Sequence, residues 1–81
     1  MKVDVYRSQS DLSKAVVVPA GTTLDGFSGY IARAIETLSP LVIKKHAVDM
    51  ESFARGDLLE HLQRQIAKEG IGMTQFESGM E

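Results

Sequence analysis

Residues 14–38 read KAVVVPAGTTLDGFSGYIARAIETL, and within them the hydrophobic pattern changes from that of a strand to that of a helix. KAVVVP is rich in β-branched residues and is closed by Pro19 and Gly21, which predicts a strand. After it, apolar residues recur at three- and four-residue steps, as on one face of a helix. These residues are Leu24, Phe27, Ile31, Ala34, Ile35 and Leu38. The stretch therefore predicts a fold that combines strands and helices.

The residues before this stretch predict a second strand that pairs with the first. KVDVYR, at residues 2–7, alternates strictly, with Val3 and Val5 on one face and Asp4 and Tyr6 on the other. A short segment of turn-forming residues, SQSDLS, joins it to KAVVVP. Two strands with a short polar connection are most simply an antiparallel hairpin.

The residues after Pro40 predict a strand, a helix and a final strand. LVIKKH, at residues 41–46, has the composition of a strand. Asp57 is the predicted N-cap of the second helix, because Glu60 follows three residues later as in a capping box. Gly70 is typical of the left-handed residue that ends a helix, and IGMTQF after it predicts the last strand.

This order of elements predicts an α+β fold with the sequence β-β-α-β-α-β. We expect two layers: a four-stranded, mostly antiparallel sheet with two helices on one face, because each helix has a single apolar stripe to bury. Residues 1–76 are predicted to form one small domain. Residues 77–81, ESGME, are predicted to be a flexible polar tail.

The composition limits the classes of function. The chain has 81 residues, 43% of them hydrophobic and 25% charged, which suits one small core. A formal net charge of -2 provides no overall basic field to attract nucleic acid. No cysteine is present, so disulfides and thiolate nucleophiles are excluded, and no apolar run reaches the ~18 residues of a membrane span. We expect a cytoplasmic protein that does not associate with membranes.

The residues that could support catalysis or metal binding form no convincing set. His46, Asp57 and His61 could in principle meet as metal ligands, but Asp57 is expected to cap a helix and His61 to lie on its exposed side. The serines lie in predicted turns, caps and the tail, and GFSGY departs from the GxSxG pattern of a nucleophile elbow. We therefore expect no catalytic residue, no metal, no cofactor and no enzymatic activity.

Short motifs at the element ends resemble those of known bacterial proteins. YRS at residues 6–8, closing the first strand, and EGI at residues 69–71, closing the last helix, resemble the YcgL family of small bacterial proteins. The start MKVDVYR, with VP at residues 18–19 and then Gly21, is similar to a second group of short proteobacterial proteins that has no assigned function. The resemblance implies this order of elements in an uncharacterised small bacterial domain, and it carries no catalytic motif.

One face of the sheet is the predicted binding surface. We expect the helices to cover the face that contains Val3, Val5, Leu41 and Ile43, so that alternation leaves the other face bare. That face would present Tyr6, Val16, Val18, Lys44 and His46. Its surplus of apolar surface predicts contact with a protein partner or with a second copy of the chain. The predicted function is a small non-enzymatic interaction module, either a homodimer or an adaptor.

An alternative use of the same face is binding of single-stranded nucleic acid. Tyr6 and Phe76 could stack on bases while Lys44 contacts phosphates. The acidic balance of the chain disfavours this alternative, because it opposes long-range attraction of a polyanion.

Overall fold

Two strands that are adjacent in sequence form the centre of the sheet. The computed structural model describes residues 1–81, and its strands lie in the order β3-β1-β2-β4 with every neighbouring pair antiparallel. The strands are β1 (Lys2–Ser8), β2 (Lys14–Pro19), β3 (Leu41–Asp49) and β4 (Gly72–Gln75), and the helices are α1 (Gly29–Leu38) and α2 (Gly56–Glu69). The predicted α+β class, the order of elements and the antiparallel sheet are confirmed. Neither helix is long and apolar enough to cross a bilayer.

The central strand β2 is buried on both of its faces. Ala15, Val16, Val17 and Val18 are all fully buried, although alternation points them in opposite directions. Ala15 and Val17 pack in one hydrophobic cluster with β1 and α2. Val16 and Val18 pack in a second cluster with the apolar stripe of α1. A continuous apolar run is typical of a strand that is covered on both sides.

The two helices therefore lie on opposite faces of the sheet, and the prediction that both cover one face is wrong. Because both faces of β2 are apolar, a pair of helices on one face would leave Val16 and Val18 exposed to water. The chain avoids this cost by placing α1 on one face and α2 on the other. The molecule has three layers, helix, sheet and helix, instead of the expected two.

The helix α2 is the more deeply packed of the two. Leu62 and Ile66 are buried against the sheet, and Gly72 lets β4 approach so closely that a Cβ there would lie 2.8 Å from Cδ2 of Leu62. The helix begins at Gly56, so the prediction of Asp57 as its N-cap is wrong. Asp57 lies in the first turn, where its charge still favours the positive end of the helix dipole. Gly70 ends the helix at φ 77°, as predicted.

The helix α1 is packed much more lightly. None of its residues is fully buried, although Ile31, Ile35 and Leu38 contact the cluster around Val16 and Val18. A separate 3-10 turn at Leu24–Gly26 precedes it. Hydrogen bonds hold its two ends: Tyr30 donates to Glu69 of α2, and the Ser8 hydroxyl donates to the Leu38 carbonyl at 2.5 Å.

The segment 77–81 is part of the domain, so the prediction of a flexible polar tail is wrong. Ser78–Met80 forms a 3-10 turn, and Met80 is fully buried in the cluster beneath α2. Gly79 fits closely against Phe53, since a Cβ at this position would lie 3.2 Å from Cβ of Phe53. The single methionine in an otherwise polar segment is the physical reason for the difference, because its apolar side chain completes the core.

Candidate interaction site

The structure covers the centre of the predicted binding surface with the chain's own helix. Val16 and Val18 are fully buried beneath α1, and Tyr6 is half-buried in the same cluster. The surplus apolar surface that the sequence shows on β2 therefore contacts α1. Val16 and Val18 therefore offer no free surface to a partner, and Tyr6 offers only part of its side chain.

The other two predicted binding residues, Lys44 and His46, are exposed on β3, where the pairing is irregular. The register shifts twice: Ile43 pairs with Tyr6 and Lys45 with Val5, which leaves Lys44 as an extra residue in a bulge. Beyond it, Ala47 has a positive φ of 52°. Lys44 and His46 are exposed, whereas Val16 and Val18 are buried beneath α1, so the five predicted residues do not form one surface.

His46 contacts a buried carboxylate on β1. The Nδ1 atom of His46 lies 3.1 Å from Oδ1 of Asp4. The same Oδ1 accepts a hydrogen bond from the backbone N–H of Ala47 at 2.8 Å, and Oδ2 accepts one from the backbone N–H of Gly21 at 3.1 Å. Burial alone would raise the pKa of Asp4, but the two backbone hydrogen bonds and then the His46 side chain outweigh it and hold this pKa below its ordinary value. Asp4 therefore fastens the irregular part of β3, and the turn after β2, to the central strand.

The residues proposed for nucleic-acid stacking are also separated. Tyr6 belongs to the cluster under α1, whereas Phe76 packs against the cluster on the opposite face. The Arg7 guanidinium lies 4.2 Å from the centre of the Phe76 ring, so a cation from the same chain already occupies that ring face.

Of the potential metal ligands, His46 lies at Asp4, His61 is exposed on α2, and no group of three or more such side chains is placed to hold an ion.

The two edges of the sheet differ in how much of their backbone is free. On β4, the N–H of Met73 donates to Oε1 of Gln65 from α2 at 2.9 Å, so the helix satisfies one outward-facing donor of that edge. On β3, the N–H of Gln9 donates to the carbonyl of Pro40 at 2.9 Å. Because hydrogen-bonded and non-hydrogen-bonded pairs alternate in antiparallel strands, the backbone groups of Leu41 and Ile43 must point away from β1. The β3 edge is therefore open at these two residues.

An apolar groove adjoins this open edge. It has a volume of about 440 Å³ and lies between the 3-10 turn, α1 and the start of β3. It is lined by Leu24, Asp25, Phe27, Ala32, Ile35, Glu36, Ser39 and Leu41. Ile43 lies two residues beyond Leu41 on the same face of β3, and both Val42 and Ile43 are 44% exposed. We call the open backbone of residues 41–43 together with this groove the edge site.

The charges at the two ends of the edge site have opposite signs. Asp25 and Glu36 line the groove at the Leu41 end. Lys44 and Lys45 follow Ile43 at the other end, and neither forms an ion pair within the chain. The site is therefore apolar at its centre, acidic at one end and basic at the other.

The edge site differs from the predicted surface because the residues of β3 face the opposite sides from those predicted. The sequence predicts that Leu41 and Ile43 face the same side as Val3 and Val5, but the observed register places them on the face of Tyr6. Bulges are not visible in the pattern of apolar residues, so the phase of β3 relative to β1 could not be predicted. The signal that was present is the run LVI directly after Pro40, which is more apolar than an exposed edge requires.

No protein-family model, curated protein or solved structure matches this chain. The resemblance to the YcgL family therefore stays a prediction, and the edge site has to be interpreted from its own geometry.

Proposed function

We propose that this protein is a small, non-enzymatic interaction module that binds an extended segment of polypeptide along the edge site. The observation that supports this proposal is the outward-facing backbone of Leu41 and Ile43 beside an apolar groove. Addition of a strand to an exposed sheet edge is a common mode of peptide recognition. The cysteine-free sequence fits the reducing cytoplasm, where we propose that the module works.

The backbone of the edge site supplies the attraction that does not depend on the partner's sequence. Leu41 and Ile43 each present one N–H and one C=O, which an extended segment can satisfy with its own backbone groups. The side chains of Val42 and Ile43 are partly exposed, so a segment that covers them also removes apolar surface from water. Backbone pairing and apolar burial thus act at the same three residues.

The groove supplies selectivity. Side chains of an added strand alternate between the two faces of the sheet, so every second residue of the bound segment would lie on the side of α1. A large apolar side chain there would enter the groove beside Leu41 and Ile35. The acidic and basic ends of the site would then favour one direction of the bound segment over the other.

Selection from a library of random peptides displayed on phage tests this proposal. We expect the selected peptides to contain extended apolar sequences and to shift the NMR signals of the Leu41 and Ile43 amides. Ile43→Glu should abolish binding, because it places a charge in the apolar centre of the site. Leu12→Glu is the matched control, since Leu12 is 52% exposed in the turn between β1 and β2 and lies outside the edge site.

Two results would contradict the proposal. One is selection of peptides whose NMR shifts map to another surface, such as the exposed side of α2. The other is peptide binding that is equally strong in wild type and Ile43→Glu.

A further inference from the structure

We propose that the segment bound at the edge site is β3 of a second copy of this chain, so that two four-stranded sheets join into one continuous sheet. This inference rests on the proposed function, since it names the partner of the same site. It is carried by the open backbone of residues 41–43, which is complementary to itself, and by the opposite charges at the two ends of the site.

The open backbone of β3 is complementary to itself in one antiparallel register. A two-fold axis through Val42 places Leu41 of each copy opposite Ile43 of the other. Because Leu41 and Ile43 are the residues whose backbone groups point outward, both pairs can exchange N–H and C=O hydrogen bonds. Val42 then faces Val42 of the second copy in a close, non-hydrogen-bonded pair, and this register uses no residue of the bulge.

The charges at the ends of the edge site favour the same arrangement. In an antiparallel pair the basic end of one β3 lies beside the groove end of the other. Lys44 of one copy would lie opposite Pro40 of the second copy, next to the groove that Glu36 and Asp25 line. The two Lys44 residues would be about 13 Å apart along the strand, beyond the ~10 Å Debye length at 0.1 M salt. The register therefore sets opposite charges near each other and keeps like charges apart.

The rest of the sheet limits the assembly to two copies. The bulge at Lys44 and the positive φ of Ala47 interrupt the edge beyond Ile43, which prevents pairing in a shifted register. On the other edge, Gln65 already satisfies the outward N–H of Met73. An isologous contact through β3 is closed by its own two-fold symmetry, because the open residues of each copy are paired with those of the other.

Sedimentation equilibrium on the full chain from micromolar to millimolar concentration tests the inference. We expect the mean mass to rise with concentration toward twice the 8.9 kDa of one chain. Val42→Lys and Val42→Glu should each stay monomeric, because the axis places two like charges directly opposite each other. An equimolar mixture of these two variants should regain the dimer, because Lys and Glu then face each other across the axis.

The control variant is Leu12→Lys, which adds the same charge at an exposed apolar residue outside the edge site and should dimerise like wild type. Circular dichroism checks that each variant is folded.

A wild-type chain that stays monomeric at millimolar concentration would overturn the inference. So would a dimer that persists in both Val42 variants, or a mixture of the variants that stays monomeric. A monomer that still binds selected peptides at Leu41 and Ile43 would remove only the second copy as partner, whereas loss of that binding as well would remove the proposed function.

Discussion

At the scale of single residues, Asp4 connects the regular and irregular parts of the sheet. Its carboxylate is almost completely buried and accepts hydrogen bonds from the backbone of Gly21, in the turn after β2, and of Ala47, in the irregular part of β3. A buried carboxylate is stable only when hydrogen bonds replace the water it has lost. These hydrogen bonds favour the charged form, which is why the pKa of Asp4 is lowered despite its burial.

Asp4→Asn should destabilise the protein by about 1–3 kcal/mol at neutral pH, because an amide nitrogen replaces one acceptor and leaves a buried N–H without a partner. The pH dependence follows from the lowered pKa. The folded-state pKa of Asp4 lies below the ~3.9 of an unfolded chain, so its stabilising effect is complete above that value and is lost as the pH falls through the folded-state pKa. Urea denaturation at a series of pH values measures this, and the difference between wild type and variant should narrow in acid.

Asp25→Asn is the control for the loss of one acidic charge. Asp25 is exposed and accepts no hydrogen bond within the chain, so its replacement should change the unfolding free energy by less than about 0.5 kcal/mol. Equal unfolding free energies for wild type and Asp4→Asn at neutral pH would show that the hydrogen bonds of Asp4 do not stabilise the sheet.

At the scale of elements, the two helices are held to the sheet with unequal strength. The helix α2 buries Leu62 and Ile66, whereas α1 buries no residue completely and lies beside an open groove. Local opening costs less free energy where fewer apolar contacts are lost. The edge site is therefore built partly from the less stable helix, which suits a surface that adjusts to a bound segment.

Native-state hydrogen exchange should show this difference directly. We expect the amides of α1 to exchange through local opening at a lower free energy than those of α2, whose exchange should follow global unfolding. Tyr30→Phe removes the hydrogen bond between α1 and Glu69 and should accelerate exchange in α1 while leaving α2 unchanged. Equal protection of the two helices would contradict the view that α1 is the weaker element.

The elements could be predicted from the sequence, but the sides that they cover could not. The sequence predicts β2 with its observed bounds because KAVVVP is both apolar and bounded by turn residues. The same run has apolar side chains on both faces of β2, so both faces must be covered. The pattern does not show which helix or partner covers each face. Val16 and Val18 could equally have contacted a partner, and only the fold shows that α1 covers them. The open edge at Leu41 and Ile43 depends on bulges for which the sequence has no signal.

At the scale of the whole molecule, the core combines residues that are distant in sequence. Val3 from β1 and Met80 from the last 3-10 turn are both fully buried in the cluster beneath α2. A domain of this size is stable by only ~4–12 kcal/mol, so each large buried side chain contributes a substantial share. The segment that the sequence predicts as a tail is therefore a structural part of the domain.

Met80→Ala should reduce the unfolding free energy by about 2–5 kcal/mol, because it leaves a cavity in this cluster. Urea denaturation followed by circular dichroism measures the change. Leu12→Ala removes an exposed apolar side chain and should change stability by less than about 0.5 kcal/mol. A Met80→Ala variant as stable as Leu12→Ala would mean that the 3-10 turn is detached from the core in solution.

The burial of Met80 also has a consequence for synthesis of the chain on the ribosome. The central hairpin of β1 and β2 is made first, and α1 can cover one face of it soon afterwards. The other face, with Val3 and Val17, stays uncovered until the residues from Met50 to Met80 have left the exit tunnel. Apolar surface that is exposed during this interval favours aggregation. The nascent chain is therefore most vulnerable on the α2 face, and this is where a molecular chaperone would find its binding surface.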